Sequence, residues 1–410
     1  MLKVLTVFGT RPEAVKLGPV VRELERYPSR ISSRVCVTAQ HRDMLDQVLR
    51  IFHIRPDYDL EVMQDNQTPT QVASTVLARL EPVLQAERPD WVLVQGDTTT
   101  VAVAALAAFY ARARIGHVEA GLRTGDRWQP FPEEINRRVA GVIADRHFAP
   151  TPHARDNLLR EDVPAECIVV TGNPGIDALH WIAAQPESAE VRDLLQEVRP
   201  TSRSSHKSQS AELLLTDSPR GAATEIDGLP TFSAAPLGAP EARTILVTAH
   251  RRENFGQPLR NICLALRDLV ERYAGSVRIV YPVHRNPNVW GPVHDLLGDV
   301  PNITLRPPLD YLPNLQLMKR SYLVVTDSGG MQEEAAGLGV PALVLREVTE
   351  RPEGVETGAL RIVGTDRARI VSEASRLLDD RAEYERMAHA GNPFGDGHAA
   401  ERIVASLLAD

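Results

Sequence analysis

Residues 322–345 read "YLVVTDSGGMQEEAAGLGVPALVL", and their order decides the fold. A short apolar run, Tyr322–Thr326, stops at Asp327. Ser328-Gly329-Gly330 makes a tight turn, a helical pattern follows, and Ala342–Leu345 is apolar again. Strand, turn, helix and strand in so few residues form a βα unit with parallel strands buried on both faces. Glycines at the turn let backbone N–H groups approach a phosphate closely, and the helix N-terminus adds positive potential. Glu334 lies one turn inside the helix, where it can reach a ribose diol. A plain helix cap by Asp327 or Ser328 is the simpler reading of the same turn.

The pattern recurs on both sides. Strands are expected at Lys3–Phe8, Arg34–Thr38, Trp91–Gln95, Gly116–Val118, His147–Ala149 and Ile168–Thr171. A second group is expected at Thr244–Thr248, Val277–Pro282, Ile303–Arg306, Tyr322–Thr326 and Ala342–Leu345. Residues 199–241, rich in Ser, Pro, Ala and Gly without sustained periodicity, separate the groups. They read as a linker or flexible surface insertion, with a catalytic lid as the sharper alternative. The expected fold is α/β, with two Rossmann-like domains facing a central cleft. The first covers 1–178, the second 242–393, and ligands are expected at the strand ends between them.

The chain has 410 residues, 43% hydrophobic, enough for two cores. A net charge of −8 and a pI near 5.9 argue against nucleic acid or an anionic membrane as the main partner. Cys36, Cys167 and Cys263 show no metal or redox spacing, which suggests unpaired thiols in a reducing compartment. The opening "MLKVLTVFG" reads as a strand rather than a leader, and no apolar run approaches the roughly 20 residues that span a bilayer. A soluble cytoplasmic protein is expected.

The chemistry collects after the strands. "VFGTRPEAVKLGPVV" places Arg11, Glu13 and Lys16 on a turn and the helix behind it. "WVLVQGDTTT" ends in Gly96-Asp97, with Thr98 or Thr99 available to cap the next helix; Asp97 acting as a cap is the bland reading. "TILVTAHRRENFG" ends a strand at His250 before Arg251 and Arg252, an anion-site pattern. "HVEAGLRTGDRWQPFPEEINRR", 117–138, sets Glu119 at a strand end and Glu133-Glu134 at a helix start. Carboxylates beside a phosphate site are unfavourable unless they work, and general acid/base chemistry is such work. Surface solvation is the reading for Glu134 and Glu253. Neither a Walker A sequence nor G-x-G-x-x-G after the first strand is present, so a diphosphate is expected by neither the ATPase nor the dinucleotide route.

At these residues the chain resembles the bacterial non-hydrolysing UDP-N-acetylglucosamine 2-epimerases. The resemblance is carried by "FGTRPEAVKLGPVV", "TAQHRDMLDQVL", "VQGDTTT", "GHVEAGLRTGD", "PFPEEINRR", "TGNPGIDAL", "VTAHRRENFG", "TDSGGMQEEA" and "TERPEGVE", and spans nearly all of the chain except about 199–241. It implies a fold of the glycosyltransferase-B type, with a last helix, 394–410, returning to the first domain. It implies interconversion of UDP-N-acetylglucosamine and UDP-N-acetylmannosamine for cell-surface polysaccharides, with no metal, no nicotinamide or other cofactor, and a homodimer. UDP leaves C1, the C2 proton is lost to give 2-acetamidoglucal, and readdition with protonation from the opposite face inverts C2.

By motif match, Asp97, Glu119 and Glu133 are the acid/base candidates, with His250 at the diphosphate and assisting protonation. Arg11 and Lys16 line the cleft. Ser328, Gly329 and Gly330 hold phosphate, Glu334 the ribose, and Arg351 the nucleotide. Gln40, His284 and neighbouring Arg251 match a second, activating UDP-N-acetylglucosamine site, and Glu133 is shared between that site and catalysis. Four positions depart from the pattern. Asn314 stands where an aromatic residue near uracil is common, Pro174 where threonine is, Asp43 where glutamine is, and Asn66 where arginine is. The last two imply weaker activation. Rival readings are the same reaction on a UDP-diacetamido sugar or uronic acid, a hydrolysing epimerase, a glycosyltransferase, and a non-catalytic nucleotide-sugar sensor. A sensor would be expected to lose the acid/base carboxylates, which are all present.

Overall fold

The computed structural model describes residues 1–38, 42–62, 67–128, 130–197, 242–349 and 351–409. The stretch 199–241, Gln40 and Asn66 lie outside the described residues, and so does the side chain of Asp43.

The strands are β1 (Leu2–Phe8), β2 (Ile31–Val37), β3 (Tyr58–Asp59), β4 (Trp91–Gln95), β5 (Arg114–Val118), β6 (Arg146–Ala149) and β7 (Ile168–Val170). After the central stretch come β8 (Arg243–Thr248), β9 (Val277–Pro282), β10 (Ile303–Arg306), β11 (Leu323–Thr326), β12 (Ala342–Val344) and β13 (Leu360–Ile362). The helices of the first half are α1 (Arg11–Glu25), α2 (Arg42–Ile51), α3 (Pro69–Glu87), α4 (Thr99–Tyr110), α5 (Glu133–Ile143), α6 (Pro152–Arg160), α7 (Pro174–Ala183) and α8 (Ala189–Glu197). Those of the second are α9 (Gln257–Arg272), α10 (Pro287–Leu297), α11 (Tyr311–Arg320), α12 (Gly329–Gly337), α13 (Pro352–Glu356), α14 (Arg367–Asp379), α15 (Arg381–Ala388) and α16 (Ala399–Ala409).

Each half builds one fully parallel sheet. The orders are β3-β2-β1-β4-β5-β6-β7 and β10-β9-β8-β11-β12-β13. In both, the order reverses once near the centre, between β1 and β4 and between β8 and β11. Ligands in open α/β sheets bind at such reversals, beyond the carboxyl ends of the strands. The expected strands all form. Two more, β3 and β13, were not legible, because each is a very short outer strand with too few residues to show a pattern. Central β4 and β9 are buried along their whole length, as doubly covered parallel strands require.

The halves are joined by packing. One apolar cluster runs from Phe8 and Leu17 through Ile176 and Leu179 of α7 to Leu315 and Met318 of α11 and Ala335 of α12. Polar contacts reinforce it: Gln316 Nε2 donates to Pro186 O at 2.9 Å, and Lys319 Nζ to Ala183 O at 2.7 Å. The chain then crosses back, with Asn173 N donating to Phe394 O at 3.0 Å. The last helix begins at Ala399, after glycines at 395 and 397 with positive φ. Asp177 of α7 caps it by accepting from Ala399 N (3.2 Å) and Ala400 N (2.8 Å). Among the described residues no helix is long and apolar enough to cross a membrane.

Candidate functional site

Four loops meet at the two order reversals, and they carry most of the residues singled out above. Glu119 follows β5 in the left-handed conformation, φ +62°, unusual for a residue with a Cβ. Its side chain is buried. Oε1 accepts from Lys16 Nζ at 2.5 Å, and Oε2 accepts from the side-chain amide of Gln95 at the end of β4. Burial pushes the Glu119 carboxyl above its ordinary range, against the pull of Lys16. Burial works against the charge on Lys16, but Glu119 and Glu333 outweigh it and raise the ammonium. Gln95 was not among the expected site residues. Its only sequence signal is a polar side chain ending the apolar run Trp91–Val94.

Asp97 follows Gly96, whose φ of +83° turns the backbone sharply after β4. Its carboxylate pairs with Arg137 of α5, so it is not a helix cap. Thr98 takes that role, accepting from Val101 N at 3.3 Å. Glu133 opens α5, and its Oε2 is buried with no hydrogen-bond partner among the described residues. Glu134 corrects an expectation. It is completely buried rather than solvated, and accepts from Thr124 N (3.1 Å) and Arg138 Nη2 (3.1 Å). It thereby fastens the loop before α5 to the helix. Glu253 is about half exposed, with Arg346 Nε donating to it at 2.6 Å. Glu13 is also buried. It accepts from Gly9 N (2.5 Å) and Thr10 N (2.8 Å) and from the Thr98 hydroxyl, joining the loops after β1 and β4.

On the second domain, Asp327 does not cap α12 either. Its buried Oδ2 accepts from His250 N (2.8 Å), Arg251 N (2.8 Å) and Asn254 Nδ2 (2.9 Å), fixing the loop after β8. Ser328 occupies the N-cap position of α12 without a side-chain cap bond. The His250 ring stacks on His284 at 5.4 Å, and its Nδ1 lies 3.5 Å from Asp327 Oδ1. Burial lowers the imidazole pKa, opposed by Asp327. A Cβ on Gly330 would meet nothing within 4 Å, so the turn is open on that side. A Cβ on Gly329 would lie 3.5 Å from the Arg351 guanidinium carbon. Glu334 hydrogen-bonds Tyr311, and burial lifts its carboxyl to about 7, with Arg11 of the first domain pulling the other way. Glu333, which the sequence reading passed over, accepts from Arg351 Nε at 2.7 Å and from Asn173 Nδ2 at 3.1 Å.

Two doubly wound sheets, with buried carboxylates on the strand-end loops of one and a glycine turn at a helix N-terminus on the other, define the glycosyltransferase-B class of fold. A glycotransferase of kitacinnamycin shares this fold at 13% identity and a TM-score of 0.60. The sequence narrows the class. The family model for UDP-N-acetylglucosamine 2-epimerase matches residues 22–216 and 223–408. The UDP-N-acetylglucosamine 2-epimerase of Salmonella typhimurium (strain LT2) is 49% identical over 406 residues, 99% of this chain and 98% of that one. That of Bacillus subtilis (strain 168) is 46% identical, over 99% and 95%. Among solved structures, the Neisseria meningitidis UDP-GlcNAc 2-epimerase bound to UDP-GlcNAc superposes with a TM-score of 0.81 at 42% identity, covering all of both chains. The Methanocaldococcus jannaschii enzyme in complex with UDP-GlcNAc and UDP gives 0.73 at 32%, also covering both chains in full. The chain belongs to the UDP-N-acetylglucosamine 2-epimerase family.

Proposed function

We propose that this chain interconverts UDP-N-acetylglucosamine and UDP-N-acetylmannosamine without hydrolysis. One observation carries the reading. Lys16 bonds the buried Glu119 of the first domain and feels the charge of Glu333, which holds Arg351 over the glycine turn of the second. Proton chemistry and diphosphate binding therefore share one cleft. Cleavage of the C1–O bond sends its electron pair to UDP, and loss of the C2 proton to a carboxylate forms the C1=C2 bond of 2-acetamidoglucal. A proton delivered to the other face of C2 and return of the UDP oxygen to C1 complete the inversion. Asp97, Glu119 and Glu133 are the acid/base set. The turn Ser328-Gly329-Gly330, Arg351 and His250 stabilise the leaving diphosphate, while Arg11 and Lys16 supply charge from the other wall. Retaining UDP beside the glycal makes readdition effectively unimolecular. Glu334 accepts from the ribose diol.

The effector reading rests on Arg251 and His284, and the His250–His284 stack supports coupling between the two candidate sites. Homodimerisation is supported by an exposed apolar stripe on α5, where Ile135, Val139 and Val142 recur at helical spacing. Incubation with UDP-N-acetylglucosamine in deuterated water, followed by NMR, tests the reaction. Deuterium at C2 of both epimers without free sugar is expected. Free N-acetylmannosamine, or no exchange, would sink the proposal.

A further inference from the structure

Glu333 is a carboxylate in a site that takes an anion, and no step above uses it as an acid or base. It is largely withdrawn from water, with 13% of its side chain exposed. Its two oxygens point to opposite walls. Oε1 accepts from Arg351 Nε at 2.7 Å, while Oε2 accepts at 3.1 Å from the amide of Asn173, the N-cap of α7. Asn173 is itself fixed, its Oδ1 accepting from Gly175 N at 2.8 Å. The guanidinium lies flat over the phosphate turn: measured from a Cβ built on Gly329, Cζ is at 3.5 Å and both Nη atoms at 3.7 Å. Arg351 and Lys16 together keep Glu333 ionised against its burial. A buried charge of the wrong sign for the ligand is costly unless it orders the groups of the right sign.

We infer that Glu333 is a positioning residue for the diphosphate site: its carboxylate lays Arg351 over the Gly329–Gly330 turn and ties it to Asn173, so the cation is set only when the two domains are closed. The inference rests on the UDP site proposed above. It makes a prediction opposite in sign to simple electrostatics. If Glu333 were a bystander, Glu333→Gln would remove a repelling charge and tighten UDP binding. As a positioning residue, its neutralisation releases the guanidinium, and UDP binds about tenfold more weakly, the scale of one charge-assisted hydrogen bond.

The test is calorimetric titration of UDP into the full chain, the Glu333→Gln and Arg351→Lys variants, and the double variant. Lysine lacks the fork that Glu333 orients, so the double variant should bind about as weakly as Arg351→Lys alone. Affinity in Glu333→Gln equal to or tighter than the parent's overturns the inference. So do losses that add, or a lowered Tm with unchanged affinity, which would mark a merely structural role. If Glu333→Gln does not fold, Asn173→Asp sets a like charge against Glu333 and should weaken UDP binding by loosening closure; unchanged affinity there overturns the inference as well. A parent chain that fails to bind UDP would instead remove the site reading itself.

Discussion

At the scale of single residues, burial governs reactivity. Glu119 sits at a backbone angle that few residues other than glycine adopt, and both its oxygens are engaged. Asp97 is held by Arg137. Glu119→Gln and Asp97→Asn should each lower epimerisation by about 10²–10⁴-fold, the usual contribution of an acid/base group. Far-ultraviolet circular dichroism and Tm should stay near the parent's, and near-parental turnover would remove that residue from the catalytic set. Glu334 predicts a pH dependence. With its carboxyl lifted to about 7 by burial, it is protonated in mild acid and ionised above neutrality. Its folded pKa exceeds the ordinary 4.5, so the stability it lends is full below 4.5 and is lost as pH rises through 7. A ribose diol is better received by the ionised form. UDP affinity should therefore rise between pH 6 and 8 by more in the parent than in Glu334→Gln, as calorimetry at both values can establish; parallel profiles would count against the ribose assignment.

At the scale of elements, β5 and β6 set two histidines side by side, His117 opposite His147. Both are buried, and desolvation holds each near 4 instead of 6.5, with the His117–Gly96 hydrogen bond only partly opposing it. Between those values the unfolded chain binds protons that the folded chain refuses. Their contribution is intact above about 6.5 and drains as pH falls toward 4, at up to roughly 1.4 kcal/mol per pH unit for each ring. Urea titrations at pH 7, 6 and 5 should show this decline, and His147→Phe should flatten it; an equal slope in the variant would mean the ring titrates freely. On α12, Gly330 faces open space, so Gly330→Val should leave Tm nearly unchanged. It should weaken UDP binding by keeping a phosphate off the backbone, and unaltered affinity would remove the phosphate-turn assignment.

At the scale of the whole molecule, α7, α11 and α12 share one apolar cluster, so the two halves are joined by packing as well as by polar contacts. The first domain also carries the exposed stripe on α5, where Val142 is 85% exposed. In a homodimer that stripe would be covered by its own counterpart. If the proposed homodimer uses this stripe, Val142→Asp should shift sedimentation from dimer to monomer without lowering UDP affinity. A dimer that persists unchanged would place the contact elsewhere.

The sequence by itself determined the two parallel sheets, because strands covered on both faces must be short apolar runs between helices, and glycine turns after strands mark ligand loops. That Asp97, Glu119, His250 and the turn at 328–330 stand at strand ends was legible for that reason. Tertiary structure alone decided the rest. Glu134, which the pattern assigns to solvent, is buried against Thr124 and Arg138, and Glu333, which the pattern passes over, meets Asn173 across the cleft. Asp327 and Asp97 look like caps, but the nearest donors in space belong to other segments. Local spacing fixes which face of an element a side chain leaves from. What it meets there depends on which other strand end the fold brings alongside, and that information is not local.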